Sequence, residues 1–111
     1  AAEQITMAAG GTIDIEISRG YPYLENDPET TRILMQKSQT FFGAENVEEL
    51  PIRLTSEDFS FYSQEIPVCF FRLGVRNESL GIIHGVHHPK FDIDHDAILV
   101  GMQAMAISVF N

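Results

Sequence analysis

Basic residues are scarce in this chain: 7 Lys and Arg stand against 16 Asp and Glu, a formal charge of -9 over 111 residues. That balance repels a polyanion such as nucleic acid and an anionic membrane surface. A charged partner is therefore expected to be a cation, metal ions included. Cysteine is scarcer still, with Cys69 the single example, so no internal disulfide can form. It lies inside the apolar run Val68-Cys69-Phe70-Phe71, where a buried, unreactive core thiol in a reducing, cytoplasmic compartment is the simplest expectation. No apolar run approaches the roughly 18 residues of a membrane span, and no basic stretch precedes an apolar one in the manner of a signal peptide. Internal repeats and low-complexity segments are lacking too. Neither an N-cap nor an initiating methionine precedes the Ala- and Met-rich start. That start reads as the end of a helix in a natural chain that begins earlier.

Hydrophobic residues make up 44% and aromatic residues 10% of the chain, enough for a core in a segment the size of one domain. Residues 1–9 predict a helix end stopped by Gly10 and Gly11. Residues 12–18 alternate strictly, with Ile13, Ile15 and Ile17 on one face and Thr12, Asp14, Glu16 and Ser18 on the other. That period predicts a half-buried strand. Gly20, Pro22, Asn26, Asp27 and Pro28 then mark either a long turn or a crossing between two structural units, with the crossing favoured. Asp27 as N-cap, Pro28 at the first helical position and Glu29 in the first turn predict a helix over residues 28–42, ended by Gly43. Its buried stripe is expected at Thr30, Ile33, Leu34, Ser38 and Phe41. Residues 47–54 read as a loop leading into a short extended segment. Thr55, Ser56, Glu57 and Asp58 predict the start of a short helix reaching about Gln64. Residues 67–75, apolar except for Arg72, fit a central strand covered on both faces, and residues 77–81 form a loop. Asp94 is placed to cap a C-terminal helix whose packed stripe holds Ala97, Ile98, Gly101, Ala104, Met105 and Ser108. Small residues along that stripe predict close packing on a sheet. Strands and helices alternate in the manner of an α/β layer. Two strands and two good helices do not complete a doubly wound domain, and the segment reads as the end of a larger fold.

All four histidines, His84, His87, His88 and His95, lie in or beside residues 83–94, read as IHGVHHPKFDID. Gly85 and Pro89 disfavour a helix there, so His87 and His88 are expected on a loop. A neutral imidazole on a rigid loop is a good ligand for a divalent metal, and Asp92, Asp94 and Asp96 favour a nearby cation. From His-His-Pro alone, a solvated polar loop is the competing reading.

Three motifs occur in order: Ser56-Glu57-Asp58-Phe59-Ser60-Phe61-Tyr62, the apolar run ending in Leu73-Gly74, and His87-His88-Pro89-Lys90-Phe91-Asp92. With Gly20-Tyr21-Pro22 and Asn26-Asp27-Pro28 they resemble the C-terminal part of the co-catalytic zinc amidohydrolases and exopeptidases. That family includes aminoacylases, hippurate hydrolases and the hydrolases of auxin conjugates. The likeness is to its bacterial N-acyl-amino-acid amidohydrolase branch in particular, whose pattern is Glu-Asp-Phe-Ser, an apolar strand ending in Leu-Gly, then His-x-Pro-x-Phe-x-x-Asp. It covers nearly all of the chain.

The resemblance implies a zinc-exopeptidase-like three-layer α/β catalytic domain interrupted by a smaller α+β lid that mediates dimerisation. Residues 1–20 would be the last helix and strand of the lid, and residues 21–111 the C-terminal portion of the catalytic domain. His87 matches the family's metal ligand, while His88 matches a variable position and inherits no role. Glu57 and Asp58 fall near the active site, where capping and first-turn charge account for them without a catalytic task. The other ligands and the glutamate general base would lie upstream, so no catalytic residue is expected here. Two divalent ions are implied, zinc first, with manganese, cobalt and nickel as alternatives, and the chain alone is expected to bind none and to be inactive. The implied partners are the upstream part of the same protein, a second copy of the assembled protein, and a small N-acyl amino acid or peptide whose amide is attacked by metal-activated water. A free-standing binding or dimerisation module, paired with a partner edge through the strand around Ile15, is the alternative, as is an inactive relative of the family. A His- or Cys-x-His/Asp motif and a Glu-Glu pair upstream would separate the first reading from the second.

Overall fold

Paired glycines end the first helix by satisfying its last carbonyls. In the computed structural model, which describes residues 1–110, α1 spans Ala2–Ala8. The Gly11 N–H donates to the Thr6 carbonyl at 2.9 Å and the Gly10 N–H to the Met7 carbonyl at 3.0 Å. Gly10 adopts φ +74°, a left-handed position without steric cost only for glycine. Asn111, the last residue of the expected second unit, lies outside the described residues.

The second helix, α2, occupies Pro28–Phe42 as expected. Asp27 Oδ1 accepts from the Thr30 N–H at 2.7 Å, and Gly43 at φ +92° stops the helix. Hydrogen bonding from the Thr30 side chain, and then from its backbone N–H, holds the Asp27 carboxyl below its ordinary value. The buried stripe departs in part from the expected one. Thr30, Leu34 and Ser38 are half-buried, but Ile33 and Phe41 are exposed, and Met35 and Phe42 take their place on the packed side. Among the described helices and turns, α2 packs against the C-terminal helix and the 3₁₀ turn Ala44–Asn46, and the flank bearing Ile33 and Phe41 stays exposed.

The third helix, α3, is confined to Ser60–Ser63, later than its sequence signals predict. Glu57 forms a turn first: its carboxylate accepts from the Phe59 N–H at 3.2 Å, and its carbonyl accepts from the Ser60 N–H and hydroxyl. Local side-chain bonds of this kind compete with helix initiation.

Helix α4 runs from Asp96 to Val109. Ala97 and Ala104 are buried, and Gly101 lies so close to Leu73 that an added Cβ would sit 3.0 Å from Leu73 Cδ2. The small residues of this stripe are covered by α2 and Leu73 and not by the expected sheet, and Ile98 and Met105 are 52% and 59% exposed and Ser108 is exposed.

The expected α/β layering is not formed by the described residues, among which no strand occurs. A single antiparallel bridge joins Asn77 to Ile82. Residues 12–18 are exposed throughout. Residues 67–75 are held at a few points. The Asn26 side chain clasps Phe70, accepting from its N–H at 2.7 Å and donating to its carbonyl at 2.9 Å, and the Asp27 N–H donates to the Val68 carbonyl at 2.8 Å. The Asp94 N–H reaches the Val75 carbonyl at 3.0 Å. Cys69, Phe71 and Leu73 have no backbone partner among the described residues. A strand needs the N–H and C=O groups of a neighbour, and neither segment has one here.

The overall dimensions agree with that deficit. The Cα radius of gyration is 21.1 Å, against about 13 Å for a compact domain of this length. The accessible surface is 9589 Å², whereas a compact chain of this mass exposes roughly 6100 Å². Only Val68, Ala97 and Ala104 form a buried apolar core among the described residues. Helix α4 is apolar on nearly every side, a pattern that belongs to a helix covered all round. No helix among the described residues is long and apolar enough to cross a membrane.

An open groove of about 1240 Å³ runs between α2, residues 69–74 and the loop after α2, with Leu34, Phe42, Cys69, Phe71 and Val100 among its lining. Cys69 is therefore not the buried thiol expected from its apolar neighbours: it is half-buried in the groove wall, because no strand covers it. A thiol reagent is expected to label Cys69 in the native isolated chain, since reagent access limits the reaction of an unpaired thiol. Native-state labelling no faster than global unfolding would show the groove to be closed.

Candidate metal-ligand loop

The histidine segment forms a loop, as Gly85 and Pro89 dictate, and both of its ends are tied. At its start Asn77 exchanges backbone hydrogen bonds with Ile82, each 2.9 Å. The Asn77 Oδ1 also caps the 3₁₀ turn Glu78–Leu80 by accepting from the Ser79 and Leu80 N–H groups. At the other end Asp94 receives the Asn77 Nδ2 donor on Oδ2 at 2.6 Å and the Asp96 N–H on Oδ1 at 3.1 Å. The Asn77 hydrogen bond first, and the Asp96 N–H second, hold the Asp94 carboxyl below its usual range. Asp94 thus serves as a brace two residues ahead of α4, in place of the N-cap role expected of it. His95 occupies the cap without a side-chain bond.

Within the loop the histidines differ. His84 and His88 stack face to face, with ring centroids 4.0 Å apart and planes 2° from parallel. His88 Nδ1 accepts from the Lys90 N–H at 3.0 Å. An imidazole accepting at Nδ1 carries its proton on Nε2 when neutral, so in this arrangement the lone pair of His88 is engaged by the Lys90 N–H. His87 is exposed, with no hydrogen bond or ion pair among the described residues. It is also the single described non-glycine residue at positive φ, +72°. Sparsely populated backbone of this kind persists where the surroundings hold it in place, and it concentrates at functional sites. Sequence reasoning selected His87 over His88 from a motif; the left-handed backbone carried no sequence signal, since His has no special preference for it over Asn or Asp.

The remaining candidate residues do not converge on His87 as a ligand set. Asp92 Oδ1 turns back to the Ile93 N–H at 2.8 Å, Asp94 is engaged as described, and Glu57 stabilises its own turn. No group of three or more His, Cys, Asp and Glu that could hold a metal ion occurs among the described residues. A zinc site needs three or four protein ligands. A single imidazole falls short of that number of ligands among the described residues.

Comparison with known proteins bears on what would supply them. The family model described as Peptidase family M20/M25/M40 matches residues 2–110. The IAA-amino acid hydrolase ILR1-like 6 of Arabidopsis thaliana is 38% identical over 81 residues, covering 73% of this chain and 18% of that protein. The thermostable carboxypeptidase 2 of Saccharolobus solfataricus is 35% identical over 99 residues, 88% of this chain and 24% of that protein. The putative amidohydrolase YhaA of Bacillus subtilis is 30% identical over 97 residues, 87% of this chain and 24% of that protein. The chain thus spans no more than about a quarter of the length of these three relatives. No solved structure matches the chain significantly.

Proposed function

The chain belongs to the Peptidase family M20/M25/M40, and from that premise we propose that it is the C-terminal portion of a metal-dependent hydrolase cleaving the amide bond of N-acyl amino acids or related small amides. In this reading it supplies one metal ligand, His87, and is inactive by itself. The observation that carries the proposal is the pairing of an unengaged His87 imidazole with a left-handed backbone on a braced loop. The names hydrolase, amidohydrolase and carboxypeptidase among the relatives favour amide cleavage beside an amino-acid carboxylate.

Divalent metal, when bound, supplies water activation and carbonyl polarisation. The work of this chain's own residues is to present a neutral imidazole in a fixed direction. Pro89 limits the backbone next to it, and the occupied Nδ1 of His88 keeps the neighbouring ring from competing. Glu57 and Asp58 stay structural in this reading.

The unpaired extended segments fit the same proposal. Residues 67–75 would gain strand neighbours from the upstream part of the protein, completing an α/β layer over α2 and α4. Residues 1–20 would close a lid that mediates dimerisation, and residues 21–111 would return to the catalytic domain. The single thiol fits a cytoplasmic setting.

Chelation tests the reading. Removing divalent metal from the complete protein is expected to abolish hydrolysis of N-acetyl amino acids, and zinc, manganese, cobalt or nickel to restore it. Hydrolysis unaffected by exhaustive chelation would overturn the proposal.

A further inference from the structure

The left-handed His87 needs a cause, and the described residues offer one at a distance in sequence. From within, the loop is stabilised by the His84–His88 stack, by the bonds of His88 to the Lys90 and Phe91 N–H groups, by the turn bond from the His88 N–H to the Gly85 carbonyl, and by the Asp92 carboxylate on the Ile93 N–H. Its ends are brought together by the Asn77 and Asp94 side chains, 17 residues apart, at 2.6 Å. Both members are fully engaged. The Asn77 Oδ1 serves the 3₁₀ turn while its Nδ2 serves Asp94, and the two Asp94 oxygens divide between Asn77 and the Asp96 N–H that opens α4. The pair therefore joins three elements: the turn before the loop, the loop itself and the first turn of α4. Gly85 itself lies against open space, and beside the pair the loop ends are held by the Asp94 N–H on the Val75 carbonyl and the Arg76 guanidinium on the Ile83 carbonyl.

We infer that Asn77 and Asp94 are a positioning pair for His87, fixing the loop closure that keeps this imidazole in its left-handed, outward-facing state. The inference rests on the proposed role of His87 as a metal ligand. The pair acts through the backbone and touches neither metal nor substrate. Its chemistry makes a specific demand: one amide and one carboxylate, in either order. With two carboxylates, as in Asn77→Asp, the Nδ2 donor is lost and like charges face each other. With two amides, as in Asp94→Asn, a single oxygen is left to serve both the Asn77 donor and the Asp96 N–H. The exchanged pair, N77D/D94N, recovers every bond, because a carboxylate at 77 can cap the turn and an amide at 94 can both donate to it and accept from Asp96.

The test is amide hydrogen exchange on the full chain, with α2 amides as internal reference, together with NMR of His87. Each single variant is expected to speed exchange at the Asp94, Ile82 and Phe91 amides about tenfold relative to α2, and the exchanged pair to return it to near wild type. The strong intraresidue amide-to-Hα contact that marks positive φ at His87 is expected to weaken in the single variants and to recover in the pair. Failure of the exchanged pair to restore protection, or no effect of either single change, would overturn the inference. Bound metal in the complete protein separates the two ideas. Lower zinc occupancy at a fixed free concentration in the single variants, restored in the exchanged pair and lost in His87→Ala, supports both. Loop order lost and rescued with zinc occupancy unchanged by His87→Ala overturns the ligand role and leaves only a structural clasp.

Discussion

Replacing His87 by Ala in the complete hydrolase is expected to lower metal affinity and amide hydrolysis by about 100-fold or more, while His88→Ala costs less than about tenfold. Loss of residues that merely support metal ligands typically costs 10- to 100-fold, so loss of a ligand itself lies at or beyond the upper end. His88→Ala removes the stack on His84 and the acceptor for the Lys90 N–H, which loosens the loop without removing a ligand. The position of His87 calls for a backbone control, because Ala at φ +72° is strained as His is. His87→Gly relieves that strain and His87→Asn tolerates it, yet neither offers an imidazole. All three changes are therefore expected to lose metal alike. The measurements are bound metal after dialysis against a fixed free zinc concentration, and kcat and KM for an N-acetyl amino acid. Equal losses of metal in His87→Ala and His88→Ala would show the ligand assignment to be wrong, and recovery in His87→Asn would reduce the residue to a backbone role.

The isolated chain, given excess zinc, manganese or cobalt, is expected to hydrolyse no N-acyl amino acid and to sediment as self-associated species. Its accessible surface exceeds that of a compact chain by roughly 3500 Å², which is the scale of an obligate interface and far above the apolar patches that monomers carry. Ala97 and Ala104 on the small-residue stripe of α4 are buried. The apolar exposure lies on the outer side of α4, at Ile98, Leu99, Met102 and Met105, and at Phe71 beside the groove. The unpaired backbone groups of Cys69, Phe71 and Leu73 add an open edge, the feature that invites strand addition from another chain. Sedimentation should therefore be concentration-dependent, and co-expression with the upstream part of the protein should convert the association into a defined complex and bring Cys69 under protection. A well-behaved monomer would remove the claim of an incomplete core. Hydrolysis by the isolated chain would refute the proposal that it is one portion of a larger enzyme.

What could be read from the sequence was whatever hydrogen bonds close within a few residues. Helix α2 starts at Asp27 and ends at Gly43 because its cap and its stop act over three or four residues, and α1 ends at Gly10 and Gly11 for the same reason. The loop character of residues 83–94 followed from Gly85 and Pro89 alone, and the ordered motifs around Glu57, Leu73 and His87 pointed to the family. Contacts between distant residues were not legible. Neither the Asn26 clasp on Phe70, 44 residues away, nor the Asn77–Asp94 bond, to which we assign the left-handed state of His87, leaves a local pattern. Strand pairing is the extreme case. Alternation in residues 12–18 and apolarity in residues 67–75 record a preference for two faces, but a strand exists only when another backbone supplies its partners, and that backbone lies outside these two segments.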